Sequence, residues 1–208
     1  TEQTEGFGAR DFSLAIYIEN KPPLPRYQNM SAICPLQVGE VKAIASDTSN
    51  HWRKIFNVMA KTLHLLPPLS VDSLSDESPM ATWQDYRDRV LLQSCSRHAL
   101  IFSGIEWRYL SDTSSATLSD KERMPCPDAG ESVPVILDAP DAVHVIAGKT
   151  YAKKMNLPFS FVWLNDYFAI NKKHKVIISP YLDYRQLSNQ RIEYLIELIR
   201  PLMSSKTV

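Results

Sequence analysis

Apolar positions along the chain fall into a few patterned runs separated by polar or proline-rich stretches. Phe12-Ser-Leu-Ala-Ile-Tyr-Ile18 is a continuous apolar run, rich in β-branched and aromatic residues, which predicts a buried strand. Similar runs at residues 99–102, 143–147 and 174–179 predict three more. A different period marks the helices. Trp52, Ile55, Phe56, Met59, Leu63 and Leu66 recur at helical spacing, so residues 50–66 predict an amphipathic helix capped by Asn50 and stopped by Pro67-Pro68. Thr82-x-x-Asp85 resembles a capping box and opens a helix carrying Trp83, Tyr86 and Val90. Residues 149–155 predict a short helix. Ser188 or Asn189 caps a last one, with Ile192, Leu195, Ile196, Ile199 and Met203 on one stripe. Residues 159–170 are apolar and aromatic and fit either a strand or a helix. Strands followed by helices, with continuous apolar strand cores, predict an α/β fold over residues 1–208: a single domain, a three-layer α/β/α sandwich around a mostly parallel sheet of about four strands.

Ligands of such sheets bind outside the carboxyl ends of the strands. That rule gathers the loops at residues 19–25, 103–107, 148–151 and 179–185 along one edge. The first of these holds Pro22, Pro23 and Pro25 within four residues, a stiff, irregular exit from the strand.

Charge changes this picture more than overall composition does. Basic and acidic residues balance at 23 each, which argues against a protein that coats nucleic acid with its whole surface. The balance hides two opposed segments. Residues 111–141 carry seven acidic and two basic side chains and little periodicity, and read as an acidic surface excursion. Residues 149–191 carry eight basic and two acidic side chains, a face suited to phosphate groups. Three widely spaced cysteines, Cys34, Cys95 and Cys126, predict neither a disulfide framework nor a zinc ribbon and place the protein in a reducing cytoplasm. No run of about 18 apolar residues predicts a membrane span, and residues 1–10 lack an apolar signal core.

Several common motifs fail on inspection. Gly6-Phe7-Gly8 lies ahead of the first predicted strand, whereas a dinucleotide fingerprint follows one. Gly148-Lys149-Thr150 has the tail of a phosphate loop, but the glycine that opens such a loop is missing and His144-Val-Ile-Ala147 stands before it. His144 reads as a satisfied core histidine, His51 and His64 as surface residues, and His174 as the start of a strand beside lysines. No cofactor or metal ion is expected.

One resemblance stands out in the last third of the chain. Val143-His-Val-Ile-Ala-Gly148-Lys-Thr-Tyr151-Ala-Lys153-Lys154, followed later by His174-Lys-Val-Ile-Ile-Ser179-Pro180-Tyr-Leu-Asp-Tyr184-Arg185, resembles the end of the uracil-DNA glycosylase superfamily. There a strand ends in Gly before a Tyr-Ala-x-Lys-Lys-like helix, and a later strand runs into His-Pro-Ser-Pro, then Tyr-Arg. The resemblance implies the α/β/α fold of that family, a DNA or other nucleic-acid partner, and hydrolysis of an N-glycosidic bond of a flipped-out base. It implies that Asn20 or Glu19 orients the attacking water. Lys149, Ser179, Tyr184 and Arg185 would hold phosphates, Tyr181 and Leu182 would wedge into the duplex, and Tyr27 or Trp107 would stack on a base. The chain departs from the family at one position: Ile177 stands where the family has the histidine that stabilises the departing base. Three functions are therefore expected in turn: a divergent glycosylase-like nucleic-acid binder, a catalytically silent relative that serves as a protein-interaction module, and an unrelated α/β enzyme on a small molecule.

Overall fold

The computed structural model describes residues 4–66, 82–102 and 141–204. In chain order these form β1 (Gly6–Gly8), β2 (Leu14–Tyr17), α1 (Pro25–Gln28), β3 (Ile33–Cys34), α2 (Glu40–Asp47), α3 (Asn50–His64), α4 (Trp83–Arg89), β4 (His98–Ile101), β5 (Val143–Ala147), α5 (Lys149–Lys154), β6 (Val162–Trp163), β7 (Ala169–Asn171), β8 (Val176–Ser179) and α6 (Asn189–Ser204). The acidic excursion, Trp107, Pro67-Pro68 and Cys126 lie outside the described residues, except that Asp141 ends the excursion against the buried Lys175, Nζ to Oδ1 3.5 Å.

The class is α/β, but the sheet is larger and more mixed than expected. Among the described residues it has eight strands in the order β3-β1-β4-β2-β5-β8-β7-β6. β4, β2, β5 and β8 pair in parallel at its centre. β1 runs antiparallel to β4, and β7 runs antiparallel to both β8 and β6. Both flanks come from segments whose strands are only two or three residues long, too short to show a period. Residues 159–170, open between helix and strand, supply the outermost strand, β6, and the first residues of its antiparallel partner, β7, which are joined by a tight connection. Gly6–Gly8 is a strand rather than a leader to one. His174 sits in the turn before β8, not in the strand.

Strand alternation divides the core in two. Leu14, Ile16 and Ile18 of the β2 segment join Leu100, Val143, Val145 and Ile177 on one face, packed with α2, α3, α4 and α6. Ala15, Tyr17, Ala99, Ile101, Ile146, Val176 and Ile178 point to the other face, where Ala152 of α5 joins them. All six residues of the predicted α3 stripe are buried. Asn50 does not cap that helix; Ser49 holds the position, and its side chain makes no capping bond.

Thr82 caps α4 as its sequence predicts. Asp85 N donates to Thr82 Oγ1 at 3.2 Å, and that hydroxyl donates to Asp85 Oδ2 at 2.6 Å. The Asp side chain is too short to reach back to the cap's own N–H as Glu would, so it takes the hydroxyl proton instead. Thr82→Ala is expected to cost about 1 kcal/mol in urea unfolding, and an unchanged midpoint would show the cap to be idle.

Candidate functional site

The chain leaves β2 toward the helix layer of α2 to α4 and leaves β5 through α5 on the opposite face. Neighbouring parallel strands whose connections diverge open a crevice at their carboxyl ends. Glu19 follows β2 and Lys149 follows β5, so both flank that crevice. Glu19 Oε1 forms an ion pair with Lys154 Nζ across it. Gly148 makes the sharp exit from β5: its φ is +108°, which a side chain disfavours, and its N–H donates to Ser179 O at 2.8 Å. A Cβ here would lie 3.8 Å from the Tyr181 ring, so the β5 and β8 loops are in direct register.

The β8 loop meets the first turn of α3. His51 Nε2 and Tyr181 Oη are 2.9 Å apart, with their rings 9° from parallel. Lys54 Nζ binds Asp183 Oδ2 at 3.1 Å and also lies 5.0 Å from the Tyr184 ring centroid. Arg185 donates its backbone N–H to Asp183 Oδ1 at 3.0 Å, and that bond, with Lys54, holds the Asp183 carboxyl below its usual range. Burial, with Asp183 and Glu19 nearby, pushes Tyr181 up to about 12. Burial and Glu19 do the same for Tyr151, also to about 12. Both phenols therefore stay protonated as donors near neutral pH. Tyr151 Oη is buried and has no hydrogen-bond partner among the described residues, a donor left unspent beside the crevice.

The expected site residues divide. Glu19, Asn20, Lys149, Tyr184 and Arg185 are exposed at this edge, and Tyr181 is half-buried there. Three others are corrected. Tyr27 is core: it is 6% exposed, its hydroxyl donates to Glu40 Oε1 at 2.7 Å, and its ring abuts Phe7, so it offers no stacking face. Leu182 is 1% exposed and packs in the helix-side core, so it cannot wedge into a duplex. Ser179 is fully buried and its hydroxyl donates to Pro180 O at 3.0 Å, which leaves it out of reach of a phosphate. Ile177 is fully buried within β8, paired with Val145 and Ile170. A histidine there would face the core and not the crevice.

His51, Lys54, Tyr151 and Lys154 were not foreseen as site residues. Tyr151 and Lys154 stand on α5, in and just past the loop that the strand-end rule places at this edge, whereas the signal for His51 and Lys54 lay in α3: with Trp52, Ile55 and Phe56 buried, positions 51 and 54 must turn away from the core. The sequence does not show that they turn toward the β8 loop, since that depends on α3 packing beside α6. His144, by contrast, is the core residue expected, buried with its Nδ1 2.9 Å from Tyr17 Oη. Among the described residues no group of three His, Cys, Asp or Glu side chains is placed to hold a metal ion, and no helix is long and apolar enough to cross a membrane.

The fold and this edge define an α/β protein with a mixed sheet and a polar edge, carrying Tyr151, Tyr181 and Tyr184, at the ends of its parallel strands. The chain belongs to the family of unknown function DUF6942, whose pattern matches residues 5–200 and so takes in every residue of the edge. It matches none of the curated proteins and none of the solved structures.

Proposed function

We propose that this protein binds nucleic acid along the carboxyl edge of its parallel strands, as a divergent relative of the uracil-DNA glycosylases. The observation that carries this is convergence. Loops after β5 and β8 and the start of α3 bring Lys149, Arg185 and Lys54 to one edge, with Lys54 Nζ 5.0 Å and the Arg185 guanidinium 6.0 Å from the exposed Tyr184 ring centroid. Lys149 and Arg185 have no carboxylate within ion-pair distance among the described residues, so both charges are available to phosphates. Tyr184 is 55% exposed and offers a stacking face, and its flanking cations would strengthen binding to an electron-rich base.

The excision step expected from the resemblance passes to other residues. With Ile177 buried, the donor for a departing base is Tyr181, held by His51. Glu19 is the carboxylate for water, with Asn20 next to it. Glu19 is tied to Lys154, which restrains it, so binding is the primary activity and excision follows only if that pair opens.

Arg185→Ala and Lys149→Ala are each expected to weaken binding of a fluorescent oligonucleotide by about three- to tenfold at low salt, regardless of its sequence. A uracil-containing strand treated afterwards with alkali reports excision, which Glu19→Gln would abolish. Oligonucleotide affinity unchanged in both cation variants would overturn the proposal.

A further inference from the structure

The outer strand of the sheet carries a second feature that the crevice does not use. Val162, Trp163 and Leu164 are 66%, 48% and 40% exposed, and Tyr167 at the turn is 45% exposed. Four large apolar side chains stand in the open within six residues, on an edge strand that is itself a pairing hazard. The turn is stiff rather than loose: Asn165 Oδ1 accepts from both Tyr167 N at 2.8 Å and Phe168 N at 2.9 Å, and Leu164 N donates to Phe168 O. Each exposed ring is matched with a cation. Lys149 Nζ lies 4.5 Å from the Trp163 centroid, and the Arg191 guanidinium lies 3.6 Å from the Tyr167 centroid. Beside Tyr167 a groove of about 340 Å³ opens between the turn and α6, lined by Asn165, Gln190, Arg191, Glu193, Tyr194 and Glu197.

We infer that this β6–β7 hairpin is a stacking platform for single-stranded nucleic acid, an inference that rests on the binding edge proposed above and extends it. Rings held with a cation against one face and solvent on the rest suit a base, whose flat face takes the ring while its phosphate takes the cation. An apolar protein partner would gain nothing from Lys149 and Arg191, and burying them would carry a desolvation cost. Two carboxylates, Glu193 and Glu197, outweigh the single cation Arg191 in the groove, so the phosphate backbone is directed to the Lys149 side and the bases toward Tyr167 and the groove. Lys149 joins the two regions, since it belongs to the crevice edge and covers Trp163. A duplex, whose bases are already stacked, can use the crevice cations but not the rings.

The test is a titration of a 12-nucleotide single strand and of a 12-base-pair duplex, each fluorescein-labelled, against the full chain and its variants. Trp163→Ala is expected to weaken single-strand binding about tenfold and leave duplex binding unchanged, with Trp163→Phe restoring most of the loss. Arg185→Ala is expected to weaken both. Trp163 is exposed, so its loss should leave the circular dichroism spectrum and melting temperature as they are. Wild-type affinity for the single strand in Trp163→Ala, while Arg185→Ala still binds weakly, would overturn the platform and leave the edge standing. No binding of either nucleic acid by the wild type would overturn both. A dimer that Trp163→Ala converts to monomer, with DNA affinity unaltered, would assign the hairpin to a second copy of the chain instead.

Discussion

Acidification from pH 7 to pH 5 is expected to remove about 4 kcal/mol of folding stability, well before most carboxylates titrate. Two buried histidines are responsible. His98 and His144 are both held near pKa 4 against an ordinary value of 6.5, chiefly because burial disfavours the charged ring; for His144 the nearby Lys175 adds to this. Each sits against a tyrosine, Tyr86 Oη 2.8 Å from His98 Nδ1 and Tyr17 Oη 2.9 Å from His144 Nδ1. The folded protein takes up these protons only below about pH 4, while the unfolded chain takes them up below about 6.5. Between those limits the unfolded state binds two more protons, and stability falls by roughly 2.7 kcal/mol per pH unit where both are active. His174, whose pKa is also lowered, adds in the same direction. A total stability of about 5–15 kcal/mol is usual for a domain, so the loss is a large share of it. Urea unfolding at pH 7 and pH 5 measures it directly. His144→Gln and His98→Gln should each lower stability at pH 7 but halve the pH dependence. Equal midpoints at the two pH values would show that neither histidine is kept neutral by the fold.

Gly8→Ala is expected to destabilise the protein by about 3 kcal/mol, or roughly 10 °C in melting temperature for a chain of this size. Gly8 ends β1 at φ +113°, opposite Ala99 of β4. A Cβ there would stand 2.1 Å from His98 O and 2.9 Å from Ala99 Cα. Both obstacles are backbone, and that same carbonyl accepts from Ala9 N at 3.1 Å, so it cannot move aside without losing a bond. Conformational strain and collision therefore act together, and the loss should also release His98, the first residue of β4. A melting temperature within a degree of wild type would show that β1 can leave the sheet at no cost.

Gly8 also shows where sequence pattern stops being informative. Gly6-Phe7-Gly8 has no apolar period, yet the glycines are what let a three-residue strand lie against β4 while Phe7 enters the core. The reason for the motif is close backbone approach, which only the paired strand reveals. The central strands were readable because burial on both faces requires unbroken apolar runs, and α3 and α6 because one-sided burial requires a 3.6-residue period. The two-residue strands β3 and β6 carry no period at all, so the mixed flanks stayed hidden. At the site the same division holds. Glu19, Lys149 and Arg185 follow from the rule that places loops at the carboxyl ends of strands. Tyr27 and Leu182 were misplaced because one turn of chain decides whether an aromatic or leucine enters the core, and tertiary packing sets that. His51 and Lys54 are remote in sequence from the β8 loop and reach it only through the packing of α3.

The central claim is that the carboxyl edge binds nucleic acid through its cations. It is tested most directly by the affinity of the wild-type chain for a single-stranded oligonucleotide across a series of salt concentrations. Lys149 and Arg185, the edge cations without a carboxylate partner among the described residues, offer about two phosphate contacts, so log affinity should fall linearly with log salt with a slope of roughly −1.4. Binding that is absent at low salt, or present with a slope near zero, would contradict the account.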